Sequence, residues 1–132
     1  MMLFLEDVRD FISGLAVAAD ENVYMGKMDN KKEKSIGVYQ LKQARAPTVS
    51  LGGSGTYKVK PISLLVHWTK SARETEKKAY ELYEKLAAVR NTTVNGTKIF
   101  YIQMLQEEPV DVDMDDSKIY ERVIEVLFYY ER

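Results

Sequence analysis

The amino-acid sequence predicts an α+β fold in which two helices pack on a mostly antiparallel sheet. Two segments carry apolar residues at helical spacing, and most of the others alternate apolar and polar residues as strands do. The predicted order is helix, strand, strand, long loop, strand, helix, strand, strand. Two amphipathic helices beside one sheet can bury all of these apolar stripes together. The 132 residues fit a single domain spanning residues 1–132.

Both helices are predicted from the three- and four-residue spacing of their apolar positions. The first helix covers Leu3 to Ala18, with its acidic and basic side chains on the opposite face. The second follows a capping box, in which Ser71 is the N-cap and Glu74 stands three residues later. It continues to about Val89, and its buried stripe is Thr75, Ala79, Leu82, Tyr83 and Leu86.

Strands are predicted from period-two alternation, which places successive side chains on opposite faces of a sheet. Pro61 lies near the start of the third strand and indicates a sheet edge or a bulge there. In the last strand, Ile124, Val126, Phe128 and Tyr130 share one face. The predicted strands are Val23–Met25, Ser35–Leu41, Tyr57–Thr69, Lys98–Gln106 and Ile119–Glu131.

Three connecting segments have distinct compositions. Residues 42–56 contain Pro47 and three glycines, which predicts a long excursion, and loops of that length are more often functional than idle. Residues 91–96 form a turn-rich link with the hairpin signal Asn95-Gly96. Residues 107–118 are predicted to be an acidic loop.

Composition excludes several classes of chemistry. The chain has no cysteine and one histidine, which excludes disulfides, thiol nucleophiles and His-rich metal sites. A net charge of −1 gives no long-range attraction to nucleic acid or anionic lipid. No stretch approaches the length of a membrane span, and the first residues turn acidic rather than resembling a signal peptide. We therefore expect an intracellular product without a membrane partner.

The glycine-rich segment Ser50–Thr56 superficially resembles a phosphate-binding loop. A P-loop requires a lysine followed by serine or threonine and opens a helix. Here the motif contains no lysine, and a strand is predicted to follow. The segment is therefore interpreted as a hinge or protruding arm, and Ser50, Leu51, Gly52 and Gly53 become candidate contacts with a partner.

Asp111, Asp113 and Asp115 have the spacing of the first three ligands of an EF-hand. The sixth position of that loop should be glycine but is Asp116, and the twelfth should be glutamate but is Arg122. These departures favour a solvated acidic turn that contacts a partner. Weak binding of a divalent cation stays open as an alternative.

His67 is the one candidate for acid–base catalysis. A general base needs a nucleophile and an orienting carboxylate, and no local pattern marks either for this residue. A packed or interface histidine is therefore favoured. The sequence predicts no catalytic residue, no cofactor and no metal ligand set.

The nine tyrosines and one tryptophan are more informative. Two helices on one face of a sheet leave the other face open, where Leu65, Leu127 and Tyr129 are predicted to lie. Tyrosine is enriched at protein interfaces, which favours contact with a partner on this face. The alternative is a sandwich with one helix on each face of the sheet.

Three stretches resemble a family of phage minor capsid proteins within the wider tail-terminator and tail-completion group. They are ISLLVHWTKSARETEKKAYELYEKLAAVRN, VNGTKIFYIQMLQEEPVDV and IYERVIEVLFYYER. The resemblance covers nearly the whole chain, although none of its motifs is a chemical signature. The positions that match the family pattern are Ser50–Gly53, Trp68, Ser71–Glu76, Gln103, Pro109–Asp111 and Tyr129–Arg132.

The resemblance implies a tail-terminator-like fold and a virion protein that assembles in the host cytoplasm. Members of this group form a ring, commonly a hexamer, between the tail tube and the head-completion proteins. Duplex DNA would pass through the ring without specific binding, and no catalytic residues are implied. Two alternatives stay open: a neck-side head-completion protein that is monomeric in solution, and a small divalent-cation-binding module.

Overall fold

A seven-stranded sheet and two helices make up the described part of the chain. The computed structural model describes residues 2–26, 29, 31–42 and 57–132. The helices are α1 (Leu5–Gly14) and α2 (Ala72–Ala87), with a short 3-10 helix at Asp20–Asn22. The strands are β1 (Val23–Met25), β2 (Ser35–Gln40), β3 (Tyr57–His67), β4 (Arg90–Val94), β5 (Thr97–Met104), β6 (Val110–Met114) and β7 (Tyr120–Glu131).

The long strand β7 organises the sheet. β3 pairs antiparallel along one side of β7, while β5 and β6 share its other side. The main strand order is β1-β2-β3-β7-β5-β4, with β6 beside the start of β7. Only the β1–β2 pair is parallel among the described strands. The predicted α+β class with a mostly antiparallel sheet is therefore confirmed.

Helix α1 contacts the strands at both ends of this order, β1 and β4. The Arg9 side chain donates to the carbonyl of Val23 in β1 at 2.9 Å. Asn95, in the β4–β5 turn, donates to Asp7 at 2.9 Å and to Asp10 at 3.0 Å. Because one ten-residue helix contacts β1, β2 and β4, the sheet must curl around it.

A single apolar cluster lies between the sheet and both helices. Helix α1 contributes Val8 and Ile12, and α2 contributes Leu82 and Leu86. Ile124, Val126, Phe128 and Tyr130 of β7 all point into this cluster, as their alternation predicted. Both helices thus cover the same face, so a sandwich with one helix on each face is wrong.

Helix α2 begins with Ser71 as its N-cap, as predicted, but the Ser71 N–H donates to Thr69 Oγ1 at 3.2 Å rather than to the Glu74 side chain, so the capping box is formed only in part. The Ser71 side chain accepts a hydrogen bond from the Glu74 backbone N–H at 3.2 Å. The buried stripe is Thr75, Ala79, Leu82 and Leu86, whereas Tyr83 is half-buried and donates its hydroxyl to the Gln106 carbonyl. The helix ends two residues before the predicted Val89, and α1 is shorter at both ends than predicted.

Replacing Ser71 with alanine is expected to lower the free energy of unfolding by about 1 kcal/mol, since one backbone N–H of the first turn loses its acceptor. Urea denaturation checks the size of the loss. The variant Ser71→Asp keeps an acceptor and should stay close to the parent. Equal losses in both variants would contradict a capping role.

Two segments predicted as loops contain strands. Residues 90–94 form β4, and its hairpin to β5 turns at Asn95 and Gly96, both with positive φ (48° and 85°). The predicted hairpin signal is thus confirmed, because a two-residue type I′ turn requires these dihedrals. The acidic segment contains β6, which pairs with the start of β7. Strand β4 was missed because it is mostly polar, whereas β6 alternates apolar and acidic residues and was missed because its acidic composition was interpreted as a loop.

Pro61 lies beside the last residues of β2 rather than at a bulge. Its carbonyl accepts from Leu41 N–H, and regular pairing with β2 starts at Ile62. The register with β7 is continuous through this residue. Proline has no backbone N–H, and at this position the missing N–H removes no hydrogen bond between β3 and β7.

Candidate assembly surface

Strand β6 is an exposed edge of the sheet. All five of its residues are exposed, and within the described part of the chain it pairs with β7 alone. Val110, Val112 and Met114 are 44–47% exposed. They are three of seven large exposed apolar side chains among the described residues. Such a concentration on one short strand is typical of a surface that another protein covers.

An irregularity interrupts the β6 edge between Asp111 and Asp113. Asp113 adopts a φ of 71°, and its N–H donates to the Asp111 carboxylate at 2.8 Å. Bulges and charged residues are the devices with which proteins prevent indiscriminate strand addition at an edge. The apolar side chains of β6, rather than its backbone, are therefore the feature available to a partner.

Arg122 of β7 connects β6 to α2. Arg122 of β7 donates to the Pro109 carbonyl at 3.3 Å. Its guanidinium also lies 4.0 Å from Asp111 and 3.8 Å from Glu76 of α2. These ion pairs are long and partly exposed, so they position the strand more than they stabilise it.

The turn between β6 and β7 is built by Asp115. One of its carboxylate oxygens accepts the N–H groups of Ser117 and Ile119, at 2.9 and 3.1 Å. Its backbone N–H donates to Ile119, and Lys118 N–H donates back to its carbonyl. Aspartate is favoured in turns because its side chain can satisfy backbone donors nearby.

A second exposed feature, here called the aromatic patch, lies at the far end of β7 and consists of Tyr57, Phe100, Tyr101 and Tyr129. Tyr101 and Tyr129 stack with centroids 4.5 Å apart, and Tyr57 lies 5.5 Å from Tyr129. The four rings line a surface pocket of about 270 Å³. The pKa of Tyr101 is raised by burial and by its contact with Tyr129. This pocket is large enough to admit side chains of a partner.

The aromatic patch lies on the face of the sheet opposite α1 and α2, here called the uncovered face because neither of these two helices packs on it. Leu127, two residues before Tyr129, is buried but is not part of the cluster between sheet and helices. Tyr129 donates its hydroxyl to Gln103 at 2.8 Å across the same face. The predicted position of Tyr129 and Leu127 on an uncovered face is confirmed.

His67 lies at the opposite end of the uncovered face and is fully buried. Its Nδ1 is 2.8 Å from Oε2 of Glu121 and 3.7 Å from Oδ2 of Asp115. Glu121 is its direct cross-strand neighbour on β7. No local sequence pattern pairs His67 with a carboxylate, because these partners are 48 and 54 residues away along the chain. A fully buried ring is poorly placed to serve as a general base for a substrate.

The predicted contact residues have different outcomes. Ser50, Leu51, Gly52 and Gly53 lie outside the described residues. Asp111 and Asp113 are exposed on β6, whereas Asp115 turns towards His67, so the EF-hand spacing does not gather the three carboxylates. The segment predicted as a solvated acidic loop therefore consists of the exposed strand β6 and the turn between β6 and β7.

The sequence is similar to a known protein family. A family model described as bacteriophage tail terminator protein matches residues 10–132. No curated protein matches the chain significantly. No helix within the described residues has the length and apolar character needed to cross a membrane.

Proposed function

The chain belongs to the bacteriophage tail terminator family, and from that premise we propose that it forms a closed ring that ends the tail at the head–tail junction. Membership of the family means a structural role in phage tail assembly and association with other proteins of the virion. In this proposal, copies of the chain contact one another around a central opening through which DNA passes.

The observation that carries the proposal is the presence of two different exposed surfaces, one at each end of β7. The apolar side chains of β6 lie beside Tyr120–Val123, and the aromatic patch includes Tyr129. Six to nine residues of strand separate the two surfaces by roughly 20–30 Å. A contact between unlike surfaces is head-to-tail, and when the rotation closes it produces a ring.

The two surfaces also match in chemistry. Val112 and Met114 are exposed apolar side chains, and the aromatic patch offers an open pocket. Methionine sulfur makes favourable contacts with aromatic rings, and Tyr is enriched at interfaces. In the proposed ring, β6 of one copy inserts these side chains into the aromatic patch of the next copy.

The size and charge of the chain are compatible with passage of DNA. A globule of 132 residues is roughly 35–40 Å across, so six copies could leave a lumen for duplex DNA. A net charge of −1 avoids the strong phosphate attraction of a basic lumen. We therefore propose a hexamer through which DNA passes without specific binding.

Other virion proteins complete the proposed arrangement. The ring would contact tail-tube proteins on one side and head-completion proteins on the other, and assembly would occur in the host cytoplasm. Residues 42–56, with Ser50, Leu51, Gly52 and Gly53, remain proposed contacts with these partners. Tyr129, Asp111 and Asp113 would act in the contact between copies.

The ring is tested by size-exclusion chromatography with light scattering, followed by negative-stain electron microscopy. We expect a particle of six times the protomer mass of 15.2 kDa, and rings with a central opening. The same measurements are repeated with purified tail tubes. A chain that stays monomeric alone and beside tail tubes would contradict the ring and favour a neck-side head-completion protein.

A further inference from the structure

We propose that His67, Asp115 and Glu121 form a binding site for a divalent transition-metal ion, with Zn²⁺ as the best-matched ion. This inference does not depend on ring formation. It differs from the sequence-based expectation, which contained no metal ligand set. It also differs from an EF-hand-like site, because Asp111 and Asp113 take no part.

Geometry is the first support. One imidazole nitrogen and two carboxylate oxygens lie within 4.8 Å of one another, the one such group among the described residues. A tetrahedral zinc site with bonds of about 2.0–2.2 Å places its ligand atoms about 3.3 Å apart. The observed separations from His67 Nδ1 are 2.8 and 3.7 Å. Shifts of about half an ångström would bring both carboxylates to the distance of ligands.

Charge is the second support. Asp115 and Glu121 both approach the same imidazole nitrogen, and within the described part of the chain neither carboxylate forms an ion pair with lysine or arginine. Two carboxylates and a neutral imidazole carry two negative charges, which a divalent cation would neutralise.

Preorganisation is the third support. The Asp115 oxygen that does not face His67 is held by two backbone N–H groups, so the other oxygen has a defined position. His67 and Glu121 are directly opposite each other in the β3–β7 ladder. Polar contacts that orient metal ligands raise the affinity of a site. The two carboxylate side chains are 15–17% exposed, which leaves a path for the ion beside the buried ring.

The mixed ligand set discriminates among ions. Imidazole suits Zn²⁺, Ni²⁺ and Cu²⁺, whereas Mg²⁺ and Ca²⁺ prefer sites made of oxygen alone. Three protein ligands leave a fourth position for water. A bound ion would join β3, β7 and the β6–β7 turn, and would thereby fix the base of β6.

Isothermal titration of the EDTA-treated full chain with Zn²⁺ tests the site. We expect one ion per chain and no comparable binding of Mg²⁺. Co²⁺ should give visible absorption bands typical of a site with nitrogen and oxygen ligands. A rise in melting temperature with Zn²⁺ is expected as well, because an ion that binds the folded chain stabilises it.

Three isosteric variants separate this site from other carboxylates. Glu121→Gln and Asp115→Asn should each weaken Zn²⁺ binding at least tenfold, and Asn can still accept the backbone hydrogen bonds of the turn. Asp116→Asn changes an exposed carboxylate of the β6–β7 turn that is not among the three proposed ligands, and should bind Zn²⁺ as the parent does. Circular dichroism confirms that each variant is folded. Zn²⁺ binding that is absent in the parent, or unchanged in Glu121→Gln and Asp115→Asn, would overturn the proposal.

Discussion

Replacing Val112 and Met114 together with lysine is expected to convert the proposed ring to monomers. Both side chains are exposed in a single copy, so the fold tolerates the change. In the ring, however, they would place two ammonium groups in a pocket whose described lining residues are all aromatic and include no carboxylate. Desolvating an unpaired charge costs about 2–4 kcal/mol or more at each contact, which corresponds to a loss of affinity of about 30- to 1000-fold. Light scattering measures the mass of the particle.

The control for this prediction is the double variant Met2→Lys with Met25→Lys, which adds the same two positive charges at two other exposed methionines. It should leave both the ring and the melting temperature unchanged. Tyr101→Ala removes one side chain of the aromatic patch, which is the other surface of the proposed contact. It should therefore weaken the assembly as well. Rings that persist in the Val112/Met114 double variant would show that β6 does not join the copies.

Phe128→Ala is expected to be the most destabilising single change, with a loss of about 3–5 kcal/mol in the free energy of unfolding. The Phe128 side chain is fully buried, and its cross-strand neighbours are Lys60 of β3 and Ile102 of β5. It also makes an edge-to-face contact with Phe11 of α1, with centroids 5.9 Å apart. Truncation would leave a cavity where the sheet meets this helix. Thermal and chemical denaturation measure the loss.

Phe100→Ala provides the matched comparison. This phenylalanine lies on the neighbouring strand β5 but is half-buried and lines the aromatic patch. The same substitution should therefore cost only about 1–2 kcal/mol, since less apolar area is removed from contact. Equal losses for both variants would contradict the assignment of the two faces of the sheet.

The uncovered face carries three of the nine tyrosines in a single patch. Tyr57, Tyr101 and Tyr129 lie together on this face, while Tyr130 points into the core. Burial raises the pKa of Tyr130, and its neighbour Tyr129 remains accessible. Adjacent residues of one strand thus have different tasks, one in folding and the other in the proposed contact between copies.

Local pattern predicted the elements whose apolar periodicity is strong. The Ser71 N-cap of α2, the alternation of β7 and the Asn95-Gly96 turn all depend on residues a few positions apart, and all three are confirmed. The resemblance to phage tail-terminator proteins is confirmed by the match over residues 10–132. Strand β6 was missed although Val110, Val112 and Met114 alternate with Asp111 and Asp113, because the segment is short and its acidic composition was interpreted as a loop.

The sequence by itself determined the fold class, the limits of the strongest elements and the family, because each rests on short-range spacing or on a pattern spread along the chain. Tertiary structure decided which polar and apolar residues meet at the surface. Pairing of β3 with β7 brings His67 to Glu121 across 54 residues, and the curl of the sheet around α1 leaves β6 as an exposed apolar edge. Such contacts follow from strand register, which no local spacing specifies.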